Sequence, residues 1–99
     1  MLKIRQDQQY VSDDWWKWSI WVDGPQPDLD EIEKVVYLLH STFPNPVRTV
    51  TDRDSNFRLE AAGWGTFTIR AKVHFKGGRT ESLAHELELH SPGGAPAPA

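Results

Sequence analysis

Leu39 to Gly65 reads LHSTFPNPVRTVTDRDSNFRLEAAGWG. One end places an aromatic, Phe43, in a His-Ser-Thr-Phe-Pro turn. The other places Trp64 between two glycines, Gly63 and Gly65. Between them lie a loop and a short strand-like stretch, Asn56 to Ala61. If the chain doubles back here, Phe43 and Trp64 face each other across a slot. Glycines beside Trp64 have no Cβ, so a ligand can approach the backbone closely.

Outward from that stretch, short apolar runs alternate with turn chemistry. Leu2, Ile4 and Gln6 alternate with Lys3, Arg5 and Asp7, a first strand. Trp15 to Val22 has the aromatic and β-branched composition of a second. Within it, Trp16, Trp18 and Ile20 share one face and Trp15, Lys17, Ser19 and Trp21 the other. Asp23-Gly24-Pro25-Gln26-Pro27 ends it. Thr66 to Phe75 is the clearest strand, with Phe67, Ile69, Ala71, Val73 and Phe75 on one face. Gly77-Gly78 is a hairpin turn, and Thr80 to His90 returns with Leu83, His85, Leu87 and Leu89 on one side. Asp28 to Leu39 is ambiguous. Asp30 suits a helix cap, and Ile32, Val35, Val36 and Leu39 fall at helical spacing; yet Val35-Val36-Tyr37 prefers strand. Local pattern alone favours the helix.

Many short strands separated by turns predict an all-β fold, an antiparallel β-sandwich. At 99 residues the chain forms one domain. Residues 1–90 are read as that domain, and the Pro/Gly/Ala-rich residues 91–99 as a tail or linker. There is no cysteine, so neither a disulfide framework nor a thiolate metal site is available. No run reaches transmembrane length, and Met1 to Gln6 lacks the apolar region of a signal peptide. These features lead us to expect a cytoplasmic protein. The net charge of −3 argues against nucleic acid as a partner. His85 and His90 are an odd number apart, which would send them to opposite strand faces, and no zinc, phosphate-loop or Ser/His/Asp signature is present. Hence no enzyme, no metal and no cofactor is expected.

The stretch resembles the YEATS family, readers of acylated lysine. That family shows a Leu-His-x-Ser/Thr-Phe-x-x-Pro turn, an aromatic strand, and a Gly-aromatic-small turn ending in Phe. Here these read Leu39 to Pro46, Asn56-Phe57-Arg58-Leu59, and Gly63-Trp64-Gly65-Thr66-Phe67. The resemblance extends upstream to Trp18-Ser19-Ile20-Trp21-Val22-Asp23-Gly24-Pro25 and Glu33-Lys34-Val35-Val36-Tyr37, and covers roughly residues 11 to 76. It implies an immunoglobulin-like sandwich and a strand, not a helix, from about Ile32 to His40. It also implies a partner, an acylated lysine (crotonyl or acetyl) in a protein or peptide. Phe43 and Trp64 would be the walls, and the Thr42 hydroxyl and Trp64 backbone N–H the hydrogen-bonding groups. Gly63 and Gly65 would form an open rim, with His40 shaping the loop. The family often supplies a further aromatic before the Trp18 strand. Asp14 fills that place here, with Trp15 and Trp16 beside it. The small size and Pro-Ala tail look prokaryotic.

Each site residue has a plainer reading. An isolated Phe is more often core than wall, but Phe43 and Trp64 both sit in turns beside Pro or Gly. A turn hydroxyl such as Thr42 is often a local cap, and on sequence alone the two roles are even. Two other functions compete: a structural or adaptor Ig-like module of a larger signalling or defence protein, and a carbohydrate-binding module. The second needs Trp15, Trp16, Trp18 or Trp21 exposed in a row.

Overall fold

A computed structural model describes residues 2–90; the tail read over residues 91–99 lies outside the described residues. The strands are β1 (Lys3–Ser12), β2 (Trp15–Asp23), β3 (Ile32–Leu38), β4 (Val47–Val50), β5 (Leu59–Gly63), β6 (Thr68–Phe75) and β7 (Thr80–Glu86). A short helix α1 (Gln26–Asp30) joins β2 to β3. The strands form a three-stranded sheet, β1-β2-β5, and a four-stranded sheet, β4-β3-β6-β7. All pairings are antiparallel. The expected immunoglobulin-like sandwich is the observed fold.

The core is made by period-2 alternation on facing strands. Trp16, Trp18, Ile20 and Val22 of β2 meet Val35 and Tyr37 of β3 and Ile69, Ala71, Val73 and Phe75 of β6, all buried. Each large side chain so placed contributes roughly 1.5–3 kcal/mol by leaving water. Trp16 and Trp18 are 1% and 3% exposed, so these two tryptophans of β2 are core and the four form no exposed row. The sugar-platform reading loses its premise. Trp21 faces outward, covered by the Arg58 guanidinium 5.1 Å from the ring centroid.

The ambiguous Asp28–Leu39 segment divides between both readings. Residues 26–30 form one helical turn that buries Leu29. Asp30 ends this helix instead of capping its start, and it pairs with Arg53 at 2.8 Å. From Ile32 the chain is strand, with a register irregularity between Ile32 and Lys34. A bulge inserts one residue, so Ile32 and Val35, three apart, both face the core. That insertion imitates the i, i+3 spacing of a helix.

The stretch from Asn56 also departs from expectation. Asn56 and Phe57 have φ of 57° and 60°, so the chain turns there and β5 starts only at Leu59. A left-handed Phe is strained. Its full burial and three hydrogen bonds offset the cost: Phe57 N–H to the Asp52 carbonyl, Val22 N–H to the Asn56 carbonyl, and the Tyr37 hydroxyl to the Phe57 carbonyl at 2.7 Å. Burial raises the Tyr37 pKa above its ordinary value, so the hydroxyl stays a donor.

After β7 the chain crosses towards β1, where side chains bridge the sheets. The Gln6 amide donates to the Glu88 carbonyl at 2.6 Å and accepts from the Glu88 N–H at 2.8 Å. The His90 N–H reaches the Gln8 amide oxygen, and the Trp16 indole donates to the His90 carbonyl. The Gln6 oxygen also lies 2.6 Å from His85 Nε2. An amide oxygen only accepts, so Nε2 carries the proton.

Burial holds the His85 pKa below the ordinary imidazole value, with Glu88 and Glu86 acting weakly the other way. Folding therefore favours neutral His85. Its contribution is complete above the unfolded pKa, near 6.5, and is lost as pH falls below it. We expect Tm to fall by a few degrees between about pH 7 and pH 5. This component should vanish in His85→Gln, whose fall should be smaller by that amount in parallel melts.

Candidate functional site

Three connections meet at one end of the sandwich beside a cavity of about 380 Å3, lined by the second and third of them and by Trp15, which follows the first. The first is the β1–β2 turn, where Asp13 and Asp14 have φ of 51° and 57°, the left-handed pair of a tight hairpin. The second is the β3–β4 loop, residues 39–46; the third is the β5–β6 turn, residues 64–67. His40, Thr42, Phe43, Gly63, Trp64 and Gly65 all line this one cavity. Residues more than 20 positions apart in sequence are thus brought together because β3 and β5 belong to different sheets that end at the same level.

Phe43 is a support as well as a wall. Its ring lies 6.1 Å from Trp18, edge-on, and 5.4 Å from Phe67. Phe67 in turn lies 6.0 Å from Trp18. The three rings form one cluster continuous with the core. Gly63 is buried beneath them and pairs with Trp16. A Cβ there would stand 3.5 Å from Phe43 Cζ and 4.0 Å from Trp18 Nε1. Gly63 therefore lies under Phe43, not at a rim. Trp64 is 60% exposed, a wall held chiefly by its own backbone.

Hydrogen bonds fix the β3–β4 loop before any ligand arrives. The Leu39 N–H bonds the Pro46 carbonyl at 2.8 Å and closes the loop's base, and the Phe43 N–H bonds the His40 carbonyl. The Arg48 guanidinium donates to the Asn45 and Pro44 carbonyls at 2.6 and 2.8 Å. This role of Arg48 is visible only once the loop has folded back on β4. The imidazole of His40 rests edge-on against Phe67. Its Nδ1 accepts the Thr42 backbone N–H at 3.2 Å, so that nitrogen carries no proton. The Thr42 hydroxyl, 2.9 Å from the same Nδ1, must then be the donor. Its own lone pairs remain available to accept a hydrogen bond. The site thus combines apolar ring surface with one oriented acceptor, and none of its lining residues forms an ion pair with a described residue.

A profile of the prokaryotic YEATS domain matches residues 16–88. This chain belongs to that family. Among curated proteins, this YEATS domain is 46% identical over 78 residues to the protein AF-9 homolog of Eremothecium gossypii, covering 74% of the chain and 36% of that protein. It is 44% identical over 78 residues to the Saccharomyces cerevisiae AF-9 homolog, covering 74% of the chain and 34% of that protein. The chain thus spans about a third of the length of these relatives. It superposes on the Yaf9 YEATS domain bound to H3K27ac with a TM-score of 0.68 at 31% identity, covering 92% of this chain and 76% of that one. For the Yaf9 YEATS domain recognising an H3K122suc peptide the TM-score is 0.66 at 33% identity, covering 90% and 69%.

Residues beyond the six also line the cavity. Trp15 does, and Trp16 does not. The β2–β5 register pairs Trp16 with Gly63, and one step further Trp15 comes level with Trp64. Strand parity could have found this, since Trp15 faces away from the core set by Trp16 and Trp18. Asp14 stays in the turn, its N–H bonded to the Tyr10 hydroxyl. Phe67 and Ala62 also line the cavity; in the sequence, Phe67 is indistinguishable from the core residues of its strand.

The two aromatic walls should therefore respond differently to truncation. Phe43→Ala opens a gap against Trp18 and Phe67 and should cost about 1.5–3 kcal/mol, below the value for a fully buried Phe. Trp64→Ala should change stability by less than about 0.5 kcal/mol. Urea unfolding of both variants measures the contrast, and equal losses would remove Phe43 from its supporting role.

Proposed function

We propose that this YEATS domain is a non-enzymatic reader that binds an acylated lysine side chain, crotonyl or acetyl, in the cavity between Phe43 and Trp64. The observation that carries the proposal is the Thr42 hydroxyl, turned by His40 so that its lone pairs serve as an acceptor within an aromatic cavity. The Yaf9 domains crystallised with H3K27ac and H3K122suc peptides support the same reading. No chemistry is required of the site, and a cytoplasmic setting suits a chain without cysteine.

Acylation makes the lysine neutral and gives it a flat amide. The amide N–H donates to Thr42 Oγ1, and the acyl oxygen accepts from the Trp64 backbone N–H. Leaving either buried group unpaired would cost roughly 1–3 kcal/mol. The amide plane stacks between the rings, worth roughly 0.5–1.5 kcal/mol beyond area burial. Bare lysine is rejected because stripping the ammonium of water is costly and the Trp64 N–H would face a group that can only donate.

Titration of labelled protein with acetyl- and crotonyl-lysine peptides should shift resonances of residues 39–46 and 63–67, with Kd between about 10 μM and 1 mM. Trp64→Ala should abolish this while keeping its melting transition. An unmodified peptide that binds as tightly as the acetylated one would overturn the reading. If no acyl-lysine perturbs the protein, an adaptor role replaces it.

Chain preference follows from the cavity's far side. Ala62 lines both this cavity and a shallow groove on the outer face of the β1-β2-β5 sheet, so only a methyl group bounds the slot there. Crotonyl is held planar by conjugation and can stack along its length. Butyryl must give up rotamer freedom to lie flat. In competition experiments crotonyl should exceed acetyl by roughly 0.5–1.5 kcal/mol, with butyryl weaker than crotonyl. Acetyl binding best would mean that the slot is closed at Ala62.

A further inference from the structure

The two outer faces of the sandwich hold their arginines differently. On the β1-β2-β5 side, Arg5 pairs with Asp23 at 3.0 Å, and Arg58 lies 3.8 Å from Glu60 while bonding Ser19. On the β4-β3-β6-β7 side, Arg70 and Lys72 alternate with the buried Ile69, Ala71 and Val73 and so point outward. Both are exposed, and neither has an ion pair with any described residue. The register shows their surroundings. Arg70 stands between Leu38 and Ala84, and Lys72 between Val36 and Ser82. Leu38 in turn pairs with Val47, and these two are 41% and 57% exposed.

This face therefore carries two parallel stripes, an apolar one of Val36, Leu38 and Val47 with Lys34 at its far end, and a cationic one of Arg70 and Lys72. Ala84 and Ser82 lie beyond the cations, and Glu86 follows on β7 opposite Thr68. We propose that this face docks an acidic amphipathic helix of a partner protein, with apolar side chains over Leu38 and Val47 and carboxylates over Arg70 and Lys72. A helix presents adjacent stripes of different character, whereas an extended strand presents only opposite faces. The spacing also agrees. Carboxylates at i and i+4 on a helix are about 6 Å apart along its axis, and alternate residues of a strand about 6.6 Å. Nucleic acid fits less well. The face carries no Phe, Tyr or Trp for base stacking, and its apolar stripe would lie against phosphates. Leu38 and Val47 are also the two stems of the loop that bears Thr42 and Phe43, so a helix here sits beside the acyl-lysine cavity without entering it.

The test titrates the labelled 99-residue chain with a helical peptide carrying Glu at i and i+4 beside a Leu stripe. Shifts should concentrate in β3, β4 and β6. Affinity should weaken at least about tenfold in R70E/K72E, and several-fold between about 50 and 500 mM salt as the Debye length shrinks. The double variant should keep its wild-type response to crotonyl-lysine peptide; if it fails to fold, R70Q/K72Q replaces it. Absence of shifts on this face, or equal affinity for the charge-altered variant, overturns the proposal. So does a DNA duplex that shifts these resonances where the acidic peptide does not. Apart from the crotonyl-lysine control, none of these outcomes depends on whether the cavity binds acyl-lysine.

Discussion

The indole of Trp18 lies inside the sandwich with Phe43 and Phe67 packed against it, so the core and the binding loop share one aromatic cluster. A loop held only by its own backbone would pay to become ordered when a ligand arrives. Here part of that cost is met during folding, because Phe43 cannot leave its position without exposing ring surface of Trp18. Gly63 packs beneath the cluster: a Cβ there would stand 3.5 Å from Phe43 Cζ, an ordinary van der Waals contact. The buried indole N–H of Trp18 finds no hydrogen-bond partner among the described residues.

Around that cluster the loop is held by polar contacts that each act at one point. His40 turns the Thr42 hydroxyl, Arg48 holds two loop carbonyls, and the Leu39–Pro46 bond closes the base. The neighbouring Trp64 is left exposed. The site therefore has one rigid wall and one that the solvent still touches, a suitable division for a slot that admits a flat group and releases it. The absence of a charged pair among these contacts matters as much. A neutral amide, the ligand proposed above, would gain nothing from a fixed charge, and stacking and hydrogen bonds of modest strength would carry the selectivity.

At the opposite edge, the contact between β1 and the segment after β7 uses side-chain amides where a continuous sheet would use backbone. Gln6 makes both bonds of a strand rung with Glu88. The sheets stay distinct, yet the edge of β1 is covered, which limits its availability for pairing with other chains.

Much of this was legible in the residues themselves. Alternation in β2 and β6 is a local property, because side-chain parity is dictated by the pleat, and it correctly separated Trp16 and Trp18 from Trp15. The turn motifs that hold His40, Thr42, Phe43, Gly63, Trp64 and Gly65 could also be read directly, since Pro and Gly restrict or free the backbone wherever they occur. Three things could not be read. The bulge at the start of β3 disguised a strand as a helix, because an inserted residue changes apparent period without changing composition. Phe57 was taken for a strand residue, because only the tertiary bonds from Tyr37 and Val22 make a left-handed Phe tolerable. The depth of Gly63 and the double duty of Phe43 depend on how closely two sheets approach, a distance set by the sum of the core side chains and by no local motif. Sequence alone thus determined which side chains are available at the cavity. The packing of one sheet on the other decided which of them are walls and which are supports.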